Sequence, residues 1–211
     1  MSAAAARVAL AAIKARCSVP AIVAPLFLVS GSRLVIEDCK AGVPAAFPTL
    51  HARPESVLEE WLETITGELA AHPGAAPWIP NLIVHSSNPR LATDLDIVLR
   101  HEPEIVITAL GKPAAVAERV HRYGGLVFSD VNSVKFARIA VESGADGLVL
   151  VCAGSGGHTG FLSPFAFVAA VREFFDGPLV IGGGLMTGSH LRAVEVLGAD
   201  LGYMGTRFIA T

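Results

Sequence analysis

"AIVAPLFLVSGS", residues 21 to 32, begins as an apolar, β-branched run and empties through Ala24 and Pro25 into a loop that ends in Gly31 and Ser32. A strand that gives way to a loop and then to helical spacing is the repeating unit of a parallel sheet. What this turn lacks separates two ways of building one. An open dinucleotide-binding sheet carries G-x-G-x-x-G in its first strand-to-helix turn, and no such pattern follows this strand. The turn therefore points to a closed barrel.

The rest of the chain supports closure. Eight short apolar runs recur: "PAIVAP" (20–25), "VPAAF" (43–47), "PNLIV" (80–84), "EIVIT" (104–108), "LVF" (126–128), "GLVLV" (147–151), "PLVIG" (178–182) and "LGYMG" (201–205). Helical spacing fills Pro54–Ala71, Pro89–Arg100, Lys112–Tyr123, Ser133–Ser143, Pro164–Phe175 and Thr187–Leu197, several of them opened by Pro, Ser or Thr and closed by Gly. Strict alternation with eight strands predicts a single domain over residues 1–211, an α/β (β/α)8 TIM barrel. "MSAAAARVALAAIKARC" is basic and alanine-rich, but it runs straight into the first strand and reads as an ordinary helix rather than a transit peptide. At "GTRFIAT" the eighth strand should be followed by a covering helix. The expectation is a barrel truncated before its final helix and C-terminal lid elements, or one whose open flank a partner covers.

Composition narrows the partners. Of the 211 residues, 52% are hydrophobic and 17% charged, which suits a sheet covered on both faces. A net charge of −3 without any Lys/Arg cluster argues against nucleic acid and anionic membrane surfaces. The run from Val19 to Val29 contains Pro25 and is too short to span a bilayer. Three cysteines, Cys17, Cys39 and Cys152, form no C-x-x-C pair, which suits a reducing, cytoplasmic setting. A small molecule is the expected partner, and a homo-oligomer is left open.

In such barrels chemistry sits at the C-terminal ends of the strands, and a phosphate is often held after strands seven and eight. Glycines fall there: "GGGLMTG" gives Gly182, Gly183 and Gly184, and "GTRF" gives Gly205 beside Thr206 and Arg207. Main-chain N–H groups freed of Cβ can approach a phosphate closely, and Thr206 can add a hydroxyl. The neighbouring loop, "CAGSGGHTG", places Gly157 and His158 on the same rim. His158 is the candidate proton-handling residue, against the plainer reading of a loop imidazole bonded to a carbonyl. His85 could line the same mouth, whereas His51, His72, His101, His121 and His190 read as solvated. Cys152 with His158 raises a thiol-hydrolase alternative that lacks a group to orient the histidine. No His/Asp/Glu cluster has metal-ligand spacing. Asp146 and Asp200, each in a "GAD" segment, read as helix-to-strand turn residues.

"GADGLVLVCAGSGGHTG", "PLVIGGGLMTGSHLRAVEVLGAD" and "YMGTRFIAT" together resemble the nitronate monooxygenase (2-nitropropane dioxygenase) family, most strongly over Gly124–Thr211. "AIVAPLFLVSGS" and "PWIPNLIVHSSNPR" extend the likeness, and the flavin-dependent enoyl-ACP reductases II look like cousins. The resemblance implies a barrel holding non-covalent FMN. It assigns Ala24, Pro25 and Leu26 to main-chain contacts with the flavin ring, Asn81 and Gly157 to further contacts, and Gly182, Gly183, Gly184, Gly205 and Thr206 to the phosphate. His158 takes the place of the family's active-site histidine, which acts as a base or positions a nitro group. The implied activity is oxidation of alkyl nitronates with oxygen; the alternatives are an NAD(P)H-dependent enoyl-ACP reductase and, from another class, a catalytically inactive flavin-binding piece. This chain departs from the pattern at Leu26, where methionine is usual. It departs again after strand five, where Ser129 and Asp130 replace the His or Lys of some relatives and Asp130 becomes a cofactor contact. An anion there would disfavour negative charge on a reduced flavin.

Overall fold

The computed structural model describes residues 1–157 and 159–209. Eight parallel strands close into a barrel in chain order: β1 (Ala21–Val23), β2 (Ala45–Pro48), β3 (Trp78–Ile83), β4 (Ile105–Ala109), β5 (Leu126–Val131), β6 (Gly147–Val151), β7 (Leu179–Gly182) and β8 (Leu201–Met204). The last strand pairs with the first, Ala21 opposite Gly202 and Val23 opposite Met204. The helices are α1 (Ala3–Lys14), α2 (Ser32–Lys40), α3 (Glu55–Ala70), α4 (Leu91–Arg100), α5 (Ala114–Val120), α6 (Val134–Glu142), α7 (Pro164–Arg172) and α8 (Gly188–Val196). Side chains cap three helices: Ser133 and Thr187, which the sequence placed at helix starts, and Ser163, just before Pro164, each accept from a main-chain N–H three residues on.

Strand side chains alternate between the barrel interior and the helices. Ile22, Ala46, Ile79, Ile105, Ile107, Leu126, Phe128, Val149, Val180 and Leu201 share one buried cluster inside the cylinder. Their neighbours in sequence, such as Phe47, Trp78, Val106, Leu148 and Ile181, belong to clusters formed with the helices. A Cβ on Gly147 would collide with the Phe128 ring, so glycine on β6 makes room for the large side chain on β5.

Helix α1 does not join the outer ring. Ala6, Leu10 and Ile13 enter the interior cluster, so α1 closes the N-terminal end of the barrel. Arg7 reaches Asp200 Oδ1 at 3.2 Å and Lys14 donates to the Asp200 carbonyl at 3.0 Å. Complete burial of side chains such as Leu10 and Ile13 contributes roughly 1.5–3 kcal/mol each.

Both "GAD" aspartates clamp strands. Asp146 Oδ2 accepts from Val127 N at 2.9 Å while its own N–H donates to the Val127 carbonyl at 2.7 Å; Asp200 repeats the pattern on Leu179 at 2.8 and 2.8 Å. The solvated reading of the histidines needs correction here. His121 Nε2 lies 2.7 Å from Asp146 Oδ2, His101 pairs with Glu59, and His51 Nδ1 meets the Ser30 carbonyl at 3.1 Å with its ring edge-on to Trp61. Each of these three rings is half-buried.

After β8 the described chain makes one short 3-10 turn, Thr206–Phe208. The outer face of β8 is nevertheless covered. Met204 and Ala21 pack with Leu191 of α8, Leu185 and Phe208, and Gly202 leaves the space that Leu191 fills.

Candidate functional site

The alternation that fills the barrel also fixes what caps it. Two residues beyond the interior layer, at the C-terminal end, come Ala24, Pro48, Asn81, Ala109, Asp130, Val151, Gly182 and Tyr203. Only Asn81, Asp130 and Tyr203 among them carry a polar group on the side chain. Asn81 and Asp130 were expected in the site; Tyr203 was not, although a period of two counted from Leu201 turns it inward. Ser129, one residue from Asp130, faces the other way, its Oγ 2.7 Å from Thr108 Oγ1 between sheet and helices. It is not part of the mouth.

Asn81 Nδ2, Asp130 Oδ1, Tyr203 OH and Ser155 Oγ are all sealed from solvent, yet none has a hydrogen-bond partner among the described residues. Buried polar atoms are ordinarily paired, because each orphan costs roughly 1–3 kcal/mol. Four orphans at one end of a barrel are what a polar ligand would satisfy. Burial pushes the Asp130 carboxyl from 3.8 up to about 7, with the nearby Asn81 amide opposing the rise. Even so, Asn81 Nδ2 and Asp130 Oδ1 do not meet in hydrogen-bonding geometry. The Tyr203 phenol is held well above its usual range, first by burial and then by the negative charge of Asp130 when ionised.

The glycines form the rim beside these atoms. A Cβ on Gly182 would stand 3.4 Å from Tyr203 Cδ1 and 3.5 Å from Ser155 Oγ. Gly183 (φ +153°) passes so close to the β6 loop that a Cβ would lie 2.9 Å from the Ala153 carbonyl oxygen, and Gly184 takes φ +66° with open space where a side chain would go. Gly205 abuts Leu26, 3.0 Å from a built Cβ, so the loops after β8 and β1 touch. The main-chain N–H groups of Gly183, Gly184 and Gly205 find no acceptor among the described residues. Such unclaimed amides suit an anion. The loop after β7 is braced by Met186 N donating to His190 Nδ1 at 3.0 Å.

The remaining candidates fall around the same mouth. Ala24 N donates to the Met204 carbonyl, and Leu26 N to Ser30 Oγ at 2.9 Å, which hold the β1 loop against β8 with Pro25 between them. Thr206 and Arg207 are exposed on the rim. Gly157 (φ +64°) lies on the β6 loop, which folds back on itself where Ala153 N meets the Leu162 carbonyl and Gly160 passes the Val151 carbonyl with no room for a Cβ. His158 lies outside the described residues. His85 is exposed, with Nδ1 2.7 Å from Ser87 Oγ. Cys152 is fully buried with Sγ toward the Leu150 carbonyl, and burial pushes its thiol up to about 12, which leaves essentially no thiolate for hydrolase chemistry. Among the described residues no group of three or more His, Cys, Asp or Glu could hold a metal ion, and no helix is long and apolar enough to cross a membrane.

A parallel eight-stranded barrel whose mouth combines unclaimed amides with orphaned polar atoms belongs to the class of (β/α)8 barrels, whose sites lie at the C-terminal ends of the strands. The model of the nitronate monooxygenase family matches residues 62–211, and the chain belongs to that family. A nitronate monooxygenase of Paraburkholderia phytofirmans is 25% identical over 196 residues, covering 85% of this chain and 53% of that protein. A (3aS,4S,5R,7aS)-5-hydroxy-7a-methyl-1-oxo-octahydro-1H-indene-4-carboxyl-CoA dehydrogenase of Rhodococcus jostii is 28% identical over 117 residues, 56% of this chain and 33% of its own length. The chain thus spans about a third to a half of these two relatives. Among solved structures, a nitroalkane oxidase from Streptomyces ansochromogenes superposes with a TM-score of 0.84 at 22% identity over 96% of this chain and 68% of that one. FabK from Thermotoga maritima, an enoyl-ACP reductase II, gives 0.82 at 22% over 94% and 61%. These two likenesses establish the barrel.

Members of the family are FMN-dependent. The residues present fit that group. The unclaimed N–H groups of Gly183, Gly184 and Gly205 suit a phosphate, and the orphaned atoms of Asn81, Asp130 and Tyr203 suit a polar heterocycle.

Proposed function

We propose that this domain binds FMN non-covalently across the barrel mouth and takes part in the oxidation of small carbon acids of the alkyl nitronate type, with oxygen as the final acceptor. One observation carries the reading: among the described residues, three unclaimed main-chain N–H groups and four buried, partnerless polar atoms share one rim. The amides of Gly183, Gly184 and Gly205, with the Thr206 hydroxyl, would hold the phosphate. Asn81, Asp130 and Tyr203 would lie beneath the ring, with the main chain at Ala24, Pro25 and Leu26 along it and Gly157 beside it. Bound there, FMN supplies the electron-accepting ring.

The chain's own work is binding, orientation and proton handling. A nitronate spreads its negative charge over carbon and two oxygens. An imidazole with an ordinary pKa of about 6.5 can donate a hydrogen bond to those oxygens, or take the proton of a neutral nitroalkane, near neutral pH. His158 is assigned that role from its place among the rim glycines in the sequence. The apolar strands beneath the mouth exclude water from below.

A second reading, reduction or oxidation of an acyl thioester, is favoured by the carboxyl-CoA dehydrogenase relative and by the likeness to FabK. The two are separated by mixing the FMN-loaded protein anaerobically with propyl-2-nitronate or with NADH. Bleaching of the oxidised flavin by the nitronate, followed by oxygen uptake on admitting air, supports the first reading. Bleaching by NADH alone supports the second, and a flavinated protein inert to both is a binding domain without catalysis.

A further inference from the structure

We infer that Asp130 and Tyr203 form an uncharged hydrogen-bonding floor to the barrel mouth, and that Asp130 meets a bound flavin ring as a carboxylic acid, so that binding draws a proton from solvent. The inference rests on the FMN reading and extends it to the charge state of the site.

The geometry is that of the capping layer. Asp130 on β5 stands one layer above Phe128, and Tyr203 on β8 one layer above Leu201, both turned into the cylinder. Asp130 Oδ1 and Tyr203 OH are sealed from water and without partners among the described residues. The strands around Asp130 offer nothing to neutralise a carboxylate: β4 and β6 present Ala109 and Val151, β7 presents Gly182, β3 presents the neutral Asn81, and β8 presents the Tyr203 phenol. Among the described residues no lysine, arginine or histidine occupies the capping layer. An ionised Asp130 would therefore hold its charge half-buried, with Oδ1 sealed from water and no cation facing it from these strands, a costly arrangement. Burial accordingly holds the carboxyl far above its usual range, and the Tyr203 phenol too remains protonated. With the proton in place, carboxylic acid, phenol and Asn81 amide all become donors. A flavin ring, rich in acceptor oxygens and nitrogens, is the complementary surface. Covering the mouth removes the remaining solvent and raises the demand for that proton.

The proton balance is simple. Above neutral pH the free protein carries Asp130 largely as carboxylate; binding forms an O–H bond with a proton supplied by the buffer, and no electron moves. The test is calorimetric titration of the purified chain with FMN at pH 8, run in two buffers of different ionisation enthalpy. The second ionisation of a phosphate monoester lies near pH ~6 and is complete there, so it adds no proton. Wild type should take up close to a full proton per FMN, and its Kd should weaken by up to about tenfold per pH unit above neutrality, as for a ligand that selects a minor protonated form. Asp130→Asn should bind without proton uptake and with little pH dependence, and Tyr203→Phe should weaken binding several-fold while leaving the proton uptake. Binding by wild type with no proton uptake, or identical uptake by Asp130→Asn, overturns the inference. If neither protein binds FMN, the flavin reading fails, and the Asp130 assignment is judged by melting temperature between pH 5 and 8. A wild-type curve that falls relative to Asp130→Asn sustains the proton-holding carboxyl, and parallel curves dispose of it.

Discussion

The ring of Tyr203 lies against Gly182: a Cβ on the glycine would come within 3.4 Å of Tyr203 Cδ1, where paired strands β7 and β8 bring the two residues side by side. Glycine at this position both exposes main chain to the rim and lets an aromatic side chain from the next strand fold inward. Gly182→Val should push the ring aside and lower stability by about 1–3 kcal/mol, the usual range for overpacking. FMN affinity should fall at least tenfold in a fluorescence titration. A Gly182→Val protein that binds FMN like wild type would show that Tyr203 is not part of the floor.

Gly184 separates backbone strain from ligand contact. Its φ of +66° favours glycine, but the nearest atom to a built Cβ is the Gly154 carbonyl oxygen at 3.9 Å. Gly184→Ala should therefore cost only about 1 kcal/mol in urea unfolding. A larger side chain, as in Gly184→Val, should project into the space beside the unclaimed amides and abolish FMN binding. Retention of full flavin by Gly184→Val would mean that the phosphate is held elsewhere.

Asp130 and Asp38 make stability depend on pH near neutrality. Burial raises Asp130 to about 7 and Asp38 on α2 to about 6, both above the value near 4 expected in the unfolded chain. The folded protein thus holds these protons more tightly than the unfolded one. Their favourable contribution is complete below about pH 4 and is lost as pH rises through about 6 and then about 7. Asp130→Asn should remove its share of that loss, a gain on the order of 1–3 kcal/mol at pH 8 and none at pH 4. Thermal melts of the flavin-free protein across that interval measure it; equal gains at both pH values would contradict the assigned ionisation.

Asp146 is a structural carboxylate. It is 2% exposed, accepts from Val127 N and lies 2.7 Å from His121 Nε2. Asp146→Ala strands the Val127 amide and should cost about 1–3 kcal/mol. The matching change at Asp200, whose side chain is more exposed and shares its charge with Arg7, should cost less. Unfolding midpoints in urea, with unchanged m-values, would rank the two.

His158→Ala should lower turnover of a nitronate by about 10²-fold or more while leaving FMN bound, as for an acid-base or orienting group. Unchanged kinetics would remove its assigned role.

The strand count was legible because a parallel strand covered on both faces must be a short apolar run, whatever its neighbours; boundaries slipped where other residues extend a strand, as at Trp78 on β3 and Ser129–Val131 on β5. "EIVIT" and "GLVLV" could hardly be anything else. The glycine rim was legible for a related reason, since close approach of main chain leaves a mark in composition. What depended on distant packing was not. The helix in "MSAAAARVALAAIKARC" could be read, but not that Leu10 and Ile13 plug the end of the cylinder, because that needs the strands' N-terminal ends assembled. His121 looked like a surface residue until the fold brought it to Asp146. Tyr203 went unnoticed because its inward direction follows only from register, and Ser155 because its burial comes from a loop folding onto Gly182 and Gly183.

The central claim, that this rim grips a flavin nucleotide, is tested most directly by titrating the purified protein with FMN and following flavin fluorescence. The account predicts saturable quenching with a single equivalent bound, lost in Gly184→Val. Fluorescence that rises linearly with added FMN into the millimolar range, for the wild-type chain at pH 6 as well as pH 8, would contradict it.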